Sequence, residues 1–488
     1  MSNTKNILNK QDVVIVGGGT SGVMCALGAI NCGLKVTLIC NKDDFSSSSL
    51  LREIIPSKAF SYAATLAYSI KQAKHFGLDA QLGPINLTKV NNYIRSIIKE
   101  LQQENDMDAF EKLGGSLLIG NAKFINNQTV LVGNIQVNSK YFVIATGTRP
   151  SMPNIVNFNQ ADFLTYTQLF EQHSVPKKTI ILGGKQESLE IAQSLARFGS
   201  KVTVIFSQKF FLPLEDQDLI KKLISTLEKE GIVFYFSTKI LQFYWQNHRK
   251  MLVCQDHLGD KFAIDGDEII NLQPDQPNIE GLALPDANVQ YTAEGILVNK
   301  KLQTTQKNIF ALGSVAKTPF KSIHLTECQT NVILSNIAFN IPRNINYKLI
   351  PRILYTQPQL ATVGLNQTPK SPNTIKTLKF EFKNIDAAIY QKQTFGEIKL
   401  ICHGNKLLGT AILGAIASEI ICEYSFAMQV GADISEIANS IHAYPSLSQI
   451  NKRVANKIFY QNKPATAVTI EKVMHKVHQI FARLSFAN

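Results

Sequence analysis

The 488-residue chain is 45% hydrophobic and 18% charged, enough apolar material for about three packed domains and too much for a disordered chain. Its net charge of +13 is spread along the chain, with Lys177-Lys178 and Lys300-Lys301 no more than pairs, so no nucleic-acid partner is expected. The seven cysteines, at 25, 32, 40, 254, 328, 402 and 422, form no C-x-x-C or C-x-x-x-x-C pair, which argues against a disulfide-stapled secreted domain and a thiolate metal site.

The N-terminus, Met1 to Lys10, is polar and lacks the apolar centre of a signal peptide. Asp12-Val-Val-Ile-Val16 reads as a buried strand, Gly17-Gly-Gly-Thr-Ser-Gly22 as a turn, and the following apolar run as a helix closed at Gly33. Lys35-Val-Thr-Leu-Ile39 completes a βαβ unit. In that G-x-G-x-x-G pattern Gly17 permits the tight turn, Gly19 lets a pyrophosphate approach the backbone and Gly22 lets helix pack on strand. The acid that ordinarily ends the second strand is absent. Cys40 stands there, with Asp43 and Asp44 slightly beyond, so dinucleotide affinity should be reduced.

Helices are expected over 56–76 and 86–112, then β-rich segments at 116–124, 129–137 and 141–145, the last leading into Ala145-Thr146-Gly147. A second βαβ unit runs from Thr179-Ile-Ile-Leu182 through Gly183-Gly184 to the strand Lys201-Val-Thr-Val-Ile205. After residue 350 alternating strands (around 378–382, 396–402 and 406–413) and helices (416–430 and 433–441) suggest an α+β domain. Residues 463–488 read as a helical tail. No stretch of about 18 residues is both strongly apolar and uncharged; Gly409 to Ala432 carries Glu419 and Glu423. A cytoplasmic protein with no membrane span and no metal is the expectation.

These motifs, with Ile55-Pro-Ser-Lys58, Val143-Ile-Ala-Thr-Gly-Thr-Arg-Pro150, Asn308 to Ala316, Pro358 to Gly364 and Ile441 to Ser448, resemble the pyridine nucleotide–disulfide oxidoreductases. His324-Leu-Thr-Glu-Cys-Gln329 and Tyr444-Pro445 look most like the mercuric-reductase-like branch beside dihydrolipoamide dehydrogenase. The resemblance implies a two-Rossmann α/β fold: an FAD-binding domain (1–150 and 275–345), an NAD(P)-binding-like domain (151–274), an α+β dimerisation domain (346–462) and the tail (463–488). It implies a homodimer and a cofactor site at Gly17, Gly19, Gly22, Lys58, Ala145, Thr146, Gly147, Gly183, Gly184, Glu190, Gly313, Ser314 and His324. Lys58 and Glu190 occupy the positions that pair beside flavin N5, and a helix starting near His324 would aim its N-terminus at the flavin.

The departures bear on chemistry. The two positions of the family's redox disulfide are Ser49 and Ile54, which can form neither a disulfide nor a thiolate. The Ser46–Ser49 run reads as a solvated loop. The family's His and Glu base pair is replaced by Tyr444 and Gln449, poor or incapable bases near neutral pH. His442 is a possible substitute, more simply read as a structural histidine. The second glycine motif reads Gly183-Gly184-Lys185-Gln186-Glu187-Ser188, and Lys185 obstructs pyrophosphate approach. Phe206 stands where an acid is expected and Asp275 where an arginine is; Lys185 and Lys209 read as solvated. Ser314 replaces the Asp that holds the ribityl chain.

FAD is therefore expected, and NAD(P)H binding is expected to be weak. Two functions fit the pattern. One is an FAD oxidoreductase passing electrons from NAD(P)H through flavin directly to a small-molecule acceptor, without dithiol chemistry. The other is an inactive pseudo-oxidoreductase serving as a dimeric scaffold.

Overall fold

The computed structural model describes residues 6–41, 50–102, 107–367 and 375–462. The serine run at 46–49 and the expected tail at 463–488 lie outside them. The chain divides into two compact units. Among the described residues, unit one takes in those of 6–212 and 224–347, and unit two those of 213–223 and 348–462.

Seven strands position the candidate site in unit one: β1 (Asn6–Val16), β2 (Val36–Cys40), β3 (Ile135–Ile144), β4 (Lys178–Leu182), β5 (Lys201–Ile205), β6 (Glu268–Asn271) and β7 (Ile309–Ala311). Four helices pack with them: α1 (Thr20–Asn31), α2 (Ile55–Gln72), α3 (Glu187–Arg197) and α4 (Ile323–Ile337). The first sheet runs Ser116–Ile119, β2, β1, β3, Thr129–Val132, Ala122–Asn126, and β7 also pairs with β3. Its centre is parallel and apolar on both faces, which is why Val13, Val14, Ile15 and Val16 show no alternation and are all buried. The registers Val16↔Ile39, Val16↔Ile144 and Ala311↔Ile144 bring the carboxyl ends of four strands to one level. The loops that leave them emerge together, at the sheet edge where open α/β proteins bind ligands.

The second sheet is wholly parallel in the order Val233–Tyr235, β5, β4, β6. A three-stranded antiparallel sheet (Lys239–Gln246, Arg249–Gln255, Lys261–Gly266) adjoins it in sequence. Phe158, Phe243, Leu252 and Cys254 share one buried cluster with Ile180, Leu182 and Ile269 of that parallel sheet. Of the helix expected over 86–112, Leu87–Gln102 and Met107–Lys112 are helical, and 103–106 lie outside the described residues.

Unit two is a five-stranded antiparallel sheet in the order Arg352–Leu354, Gln359–Gly364, Lys406–Gly414, Glu397–His403, Ile375–Glu381. Its core gathers Phe382, Ile398, Leu400 and Ile412 with Ile420, Ile421 and Tyr424 of the helix α5 (Ala417–Val430). The segment Pro213–Leu223 groups with this unit, held by Glu215 to Arg352 (2.6 Å) and by Lys399 to Asp216 (2.7 Å). The helix expected over 433–441 runs only from Ile434 to Asn439. Its N-cap, Asp433, accepts from the Ser435 amide at 2.7 Å.

Candidate flavin site and its neighbours

The first glycine turn is built around close backbone approach. A Cβ at Gly22 would stand 1.8 Å from the Gly17 carbonyl oxygen, and one at Gly17 would stand 2.3 Å from that of Ala145. Gly17 also has φ +120°, a conformation that side chains disfavour. Gly19 differs: nothing lies within 4 Å of where its Cβ would be. That open space faces the start of α1, where helix amides favour an anion. Among the described residues no hydrogen bond takes the amides of Gly18 or Gly19.

The other strand ends close around this turn. The Ala145 amide donates to Val16 O at 2.7 Å. Thr146 and Asn278 clasp each other, Thr146 Oγ1 donating to Asn278 O (2.7 Å) and Asn278 Nδ2 to Thr146 O (3.0 Å). Gly313, at φ +72°, is so near Ser21 that a Cβ would meet its Oγ at 2.3 Å. Ser314 Oγ lies 3.7 Å from the Cβ position of Gly147. The Gly313 amide donates to Gln329 Oε1 at 2.8 Å, tying this turn to α4. α4 itself starts at Ile323 with His324 in its first turn, capped by Ser322 accepting from the Leu325 amide at 3.2 Å. Thus Gly17, Gly19, Gly22, Ala145, Thr146, Gly147, Gly313, Ser314 and His324 belong to one unit and one sheet end. Asn278 and Gln329 hold the backbone of these turns, a role the sequence reading did not give them although Gln329 ends one of its motifs.

Lys58 of α2 and Glu190 of α3 form an ion pair. The Glu190 side chain is wholly buried and that of Lys58 is 32% exposed. Ile54 closes a single π-helical turn, Leu50–Ile54, directly before α2, and offers no redox atom. Ser49 lies outside the described residues. Glu53 in that turn was also missed, although an acid beside Arg52 between Leu50-Leu51 and Ile54-Ile55 was the available signal. Burial pushes its carboxyl up, as do Asp275 and Glu187, while Lys185 and Arg52 oppose them.

The second turn corrects one expectation. Lys185 is not solvated: its ammonium lies 2.6 Å from Asp275, with side chains 19% and 23% exposed. Burial pushes the Asp275 carboxyl up and Lys185 partly offsets this. A Cβ at Gly183 would meet the Phe206 ring at 2.5 Å, and one at Gly184 would meet Pro274 at 2.7 Å. Lys209 is exposed, its ammonium 5.6 Å from the Phe210 ring centre.

In unit two, Tyr444 is 69% exposed and donates to Asp386 at 3.2 Å. Gln449 begins the helix Gln449–Asn462. His442 has both ring nitrogens engaged, Nε2 at 3.0 Å from Glu423 and Nδ1 at 3.3 Å from Ser440 Oγ, with 6% of its side chain exposed. A ring held from both sides in this way has the geometry of a structural histidine.

All seven cysteines are free thiols. Burial pushes Cys25, Cys254 and Cys402 up to about 12, far from a reactive thiolate. Among the described residues no group of three or more His, Cys, Asp or Glu side chains could hold a metal ion, and no helix is long and apolar enough to cross a membrane.

A doubly wound pair of nucleotide-type sheets, a glycine turn open to a pyrophosphate and a separate α+β unit together define the two-dinucleotide-fold flavoprotein class. The chain belongs to the pyridine nucleotide-disulphide oxidoreductase family: that family's model matches residues 11–331, and its dimerisation domain matches 350–455. The chain is 27% identical over 457 residues to a dihydrolipoyl dehydrogenase of Bacillus subtilis, covering 90% of this chain and 96% of that one. To a mercuric reductase of Staphylococcus aureus it is 25% identical over 443 residues, covering 90% and 80%. Among solved structures, LpdA from Mycobacterium tuberculosis matches with a TM-score of 0.81 at 20% identity, over 92% of this chain and 99% of that one. The Cu(II) complex of the HOCl-induced flavoprotein disulfide reductase RclA from Escherichia coli matches with a TM-score of 0.80 at 21% identity, over 92% and 100%. Members of the family use FAD and NAD(P)H. The first turn fits FAD, since the space before Gly19 is open where a side chain would close it. The second turn does not fit a dinucleotide, since Lys185 carries a side chain where the first turn has Gly19 and an open space.

Proposed function

We propose that this chain is an FAD-dependent oxidoreductase that exchanges electrons directly with a small-molecule acceptor, with no dithiol relay, and that it works as a homodimer. The observation that carries this reading is the coexistence of an open first glycine turn with Ile54 at the disulfide position beside an assembled Lys58–Glu190 pair. Bound at Gly17, Gly19 and Gly22, and flanked by Ala145 to Gly147 and Gly313-Ser314, FAD would supply a two-electron redox centre. The residues of the chain would bind, orient and neutralise. The α1 amides would meet the pyrophosphate, and the α4 N-terminus would favour negative charge near His324. Glu190 fixes the Lys58 ammonium in one place, from which it would supply a positive charge to a bound flavin.

The dimer is supported by the matched dimerisation domain and by the apolar surface of unit two. Phe426 is 67% exposed, Val430 59% and Ile441 96%, while Ile420, Ile421 and Tyr424 on the same helix as Phe426 are buried in the core. That surface, with the closed second turn, also favours the alternative of a dimeric scaffold. Visible absorbance of the purified protein separates the two. The oxidoreductase reading expects a flavin spectrum and, once dithionite has reduced the flavin, its reoxidation by a quinone or oxygen but not by lipoamide. A colourless protein that stays so after incubation with FAD leaves only the scaffold.

A further inference from the structure

The two glycine turns of unit one are built on equivalent strand ends and have opposite fates. Gly17 and Gly183 occupy matching places, their amides donating to Ile39 O (2.8 Å) and Ile205 O (2.9 Å) of the neighbouring strands. Two residues on, Gly19 has empty space in front of it, whereas Lys185 carries a side chain that reaches Asp275. Two amides of the second turn are already taken, whereas among the described residues no hydrogen bond takes those of their counterparts Gly18 and Gly19. Gly184 N donates to Ser188 Oγ at 3.3 Å and Lys185 N to Leu272 O at 3.1 Å. Ser188 N donates to Lys185 O at 3.2 Å and Leu189 N to Gln186 O at 3.3 Å.

Charge points the same way. The first turn of α3 already holds Glu187 and Glu190, so its positive end faces carboxylates of its own. Glu53 and Asp275 stand within electrostatic reach of Lys185, which makes the surroundings of this single ammonium rich in acids. The ribose position is taken as well. Phe206 is 1% exposed and stacks on Phe236 with ring centres 5.2 Å apart, where a dinucleotide site would offer a carboxylate.

We infer that Lys185 and Asp275 latch the second glycine turn shut, and that these two residues decide whether it accepts the pyrophosphate of a nicotinamide dinucleotide. Both depart from the pattern of a working turn, and they depart together: the side chain that blocks the approach is held in place by the carboxylate that would repel the phosphate. The inference concerns this turn alone and holds whether or not flavin occupies the first. Its consequence is that NAD(P)H seated at this turn is not the ordinary reductant of the protein.

The test is calorimetric titration of the full-length protein with NADH, NADPH and ADP-ribose, beside the double variant Lys185→Gly/Asp275→Asn. The wild type is expected to show no saturation up to roughly 1 mM, and the double variant to bind ADP-ribose at least about tenfold more tightly. Should the glycine variant fail to fold, shown by loss of its cooperative thermal transition, Lys185→Ala/Asp275→Ala takes its place with the same expectation. A wild-type dissociation constant in the micromolar range for any of the three ligands overturns the inference. So does a folded double variant that binds no better than wild type. All titrations are made with excess FAD present to fill the open first turn, so that ADP-ribose, which carries no nicotinamide, reports the second turn apart from the electron transfer on which the proposed function stands or falls.

Discussion

Lys58 and Glu190 lie 132 residues apart in the sequence, and the fold closes that distance into an ion pair whose carboxylate has no solvent exposure. A buried charge of this kind is tolerated only with its partner in place. Lys58→Met should destabilise the protein by about 2–3 kcal/mol, less than a fully buried pair would cost because the lysine is partly exposed. Lys58→Met/Glu190→Gln should lose clearly less than the sum of the single changes. Denaturant unfolding of the four proteins in the cycle measures this coupling, and additive losses would show that the pair contributes no mutual stabilisation.

The glycines of the first turn should separate folding from binding. Gly22→Ala places a methyl 1.8 Å from a backbone oxygen, so it should cost more than about 3 kcal/mol and lower the melting temperature of the protein without cofactor. Gly19→Ala meets no atom, and φ is −72° there, which alanine adopts without strain. It should therefore leave that melting temperature unchanged, yet weaken FAD binding at least about tenfold by filling the space a pyrophosphate needs. Equal effects of the two changes on stability would contradict the geometry.

Much of this was legible from the chain itself, and the reason is local. Gly17, Gly19 and Gly22 announce a turn because each answers a steric demand at a fixed spacing, and β1 announces itself by an unbroken apolar run. Ion pairing over long separation is not local. Lys185 and Asp275 stand out one at a time as departures, but nothing in the spacing says that the two meet, and a lysine in a loop reads as solvated until its partner is seen. Glu53 was passed over for the same reason: its meaning comes from Lys185, Asp275 and Glu187, all distant in sequence.

Glu53 gives a pH-dependent prediction. Its folded carboxyl is pushed up, first by burial, above the unfolded value of about 4.3. The stability such a group contributes is fully present below that unfolded value, where both states are protonated, and is lost as pH rises from there through the folded pKa. At neutral pH the ionised side chain is therefore a cost. Glu53→Gln should raise the melting temperature at pH 7, and the gain should vanish by about pH 4. Melting curves across that range check it, and a gain that persists or grows in acid would contradict the burial argument.

The thiols should behave as packing groups. Cys25, Cys254 and Cys402 are buried, with thiols pushed up to about 12. At pH 8 an alkylating reagent should modify them at least about a hundredfold more slowly in the folded protein than in denaturant, since only the thiolate reacts. Peptide mapping after timed alkylation reads each site, and rapid labelling of Cys25 in the folded protein would mean that it is neither buried nor inert.

The central claim, an FAD centre without a dithiol partner, is tested most directly by anaerobic reductive titration of the purified, FAD-loaded protein with dithionite, followed by visible absorbance. A flavin takes up two electrons, and a redox disulfide beside it takes up two more. With Ile54 at one of the two disulfide positions and Ser49 at the other, full bleaching should require about two electrons per FAD, with no long-wavelength thiolate-to-flavin band on the way. Uptake of about four electrons per FAD, or a protein that holds no flavin to titrate, would contradict the account.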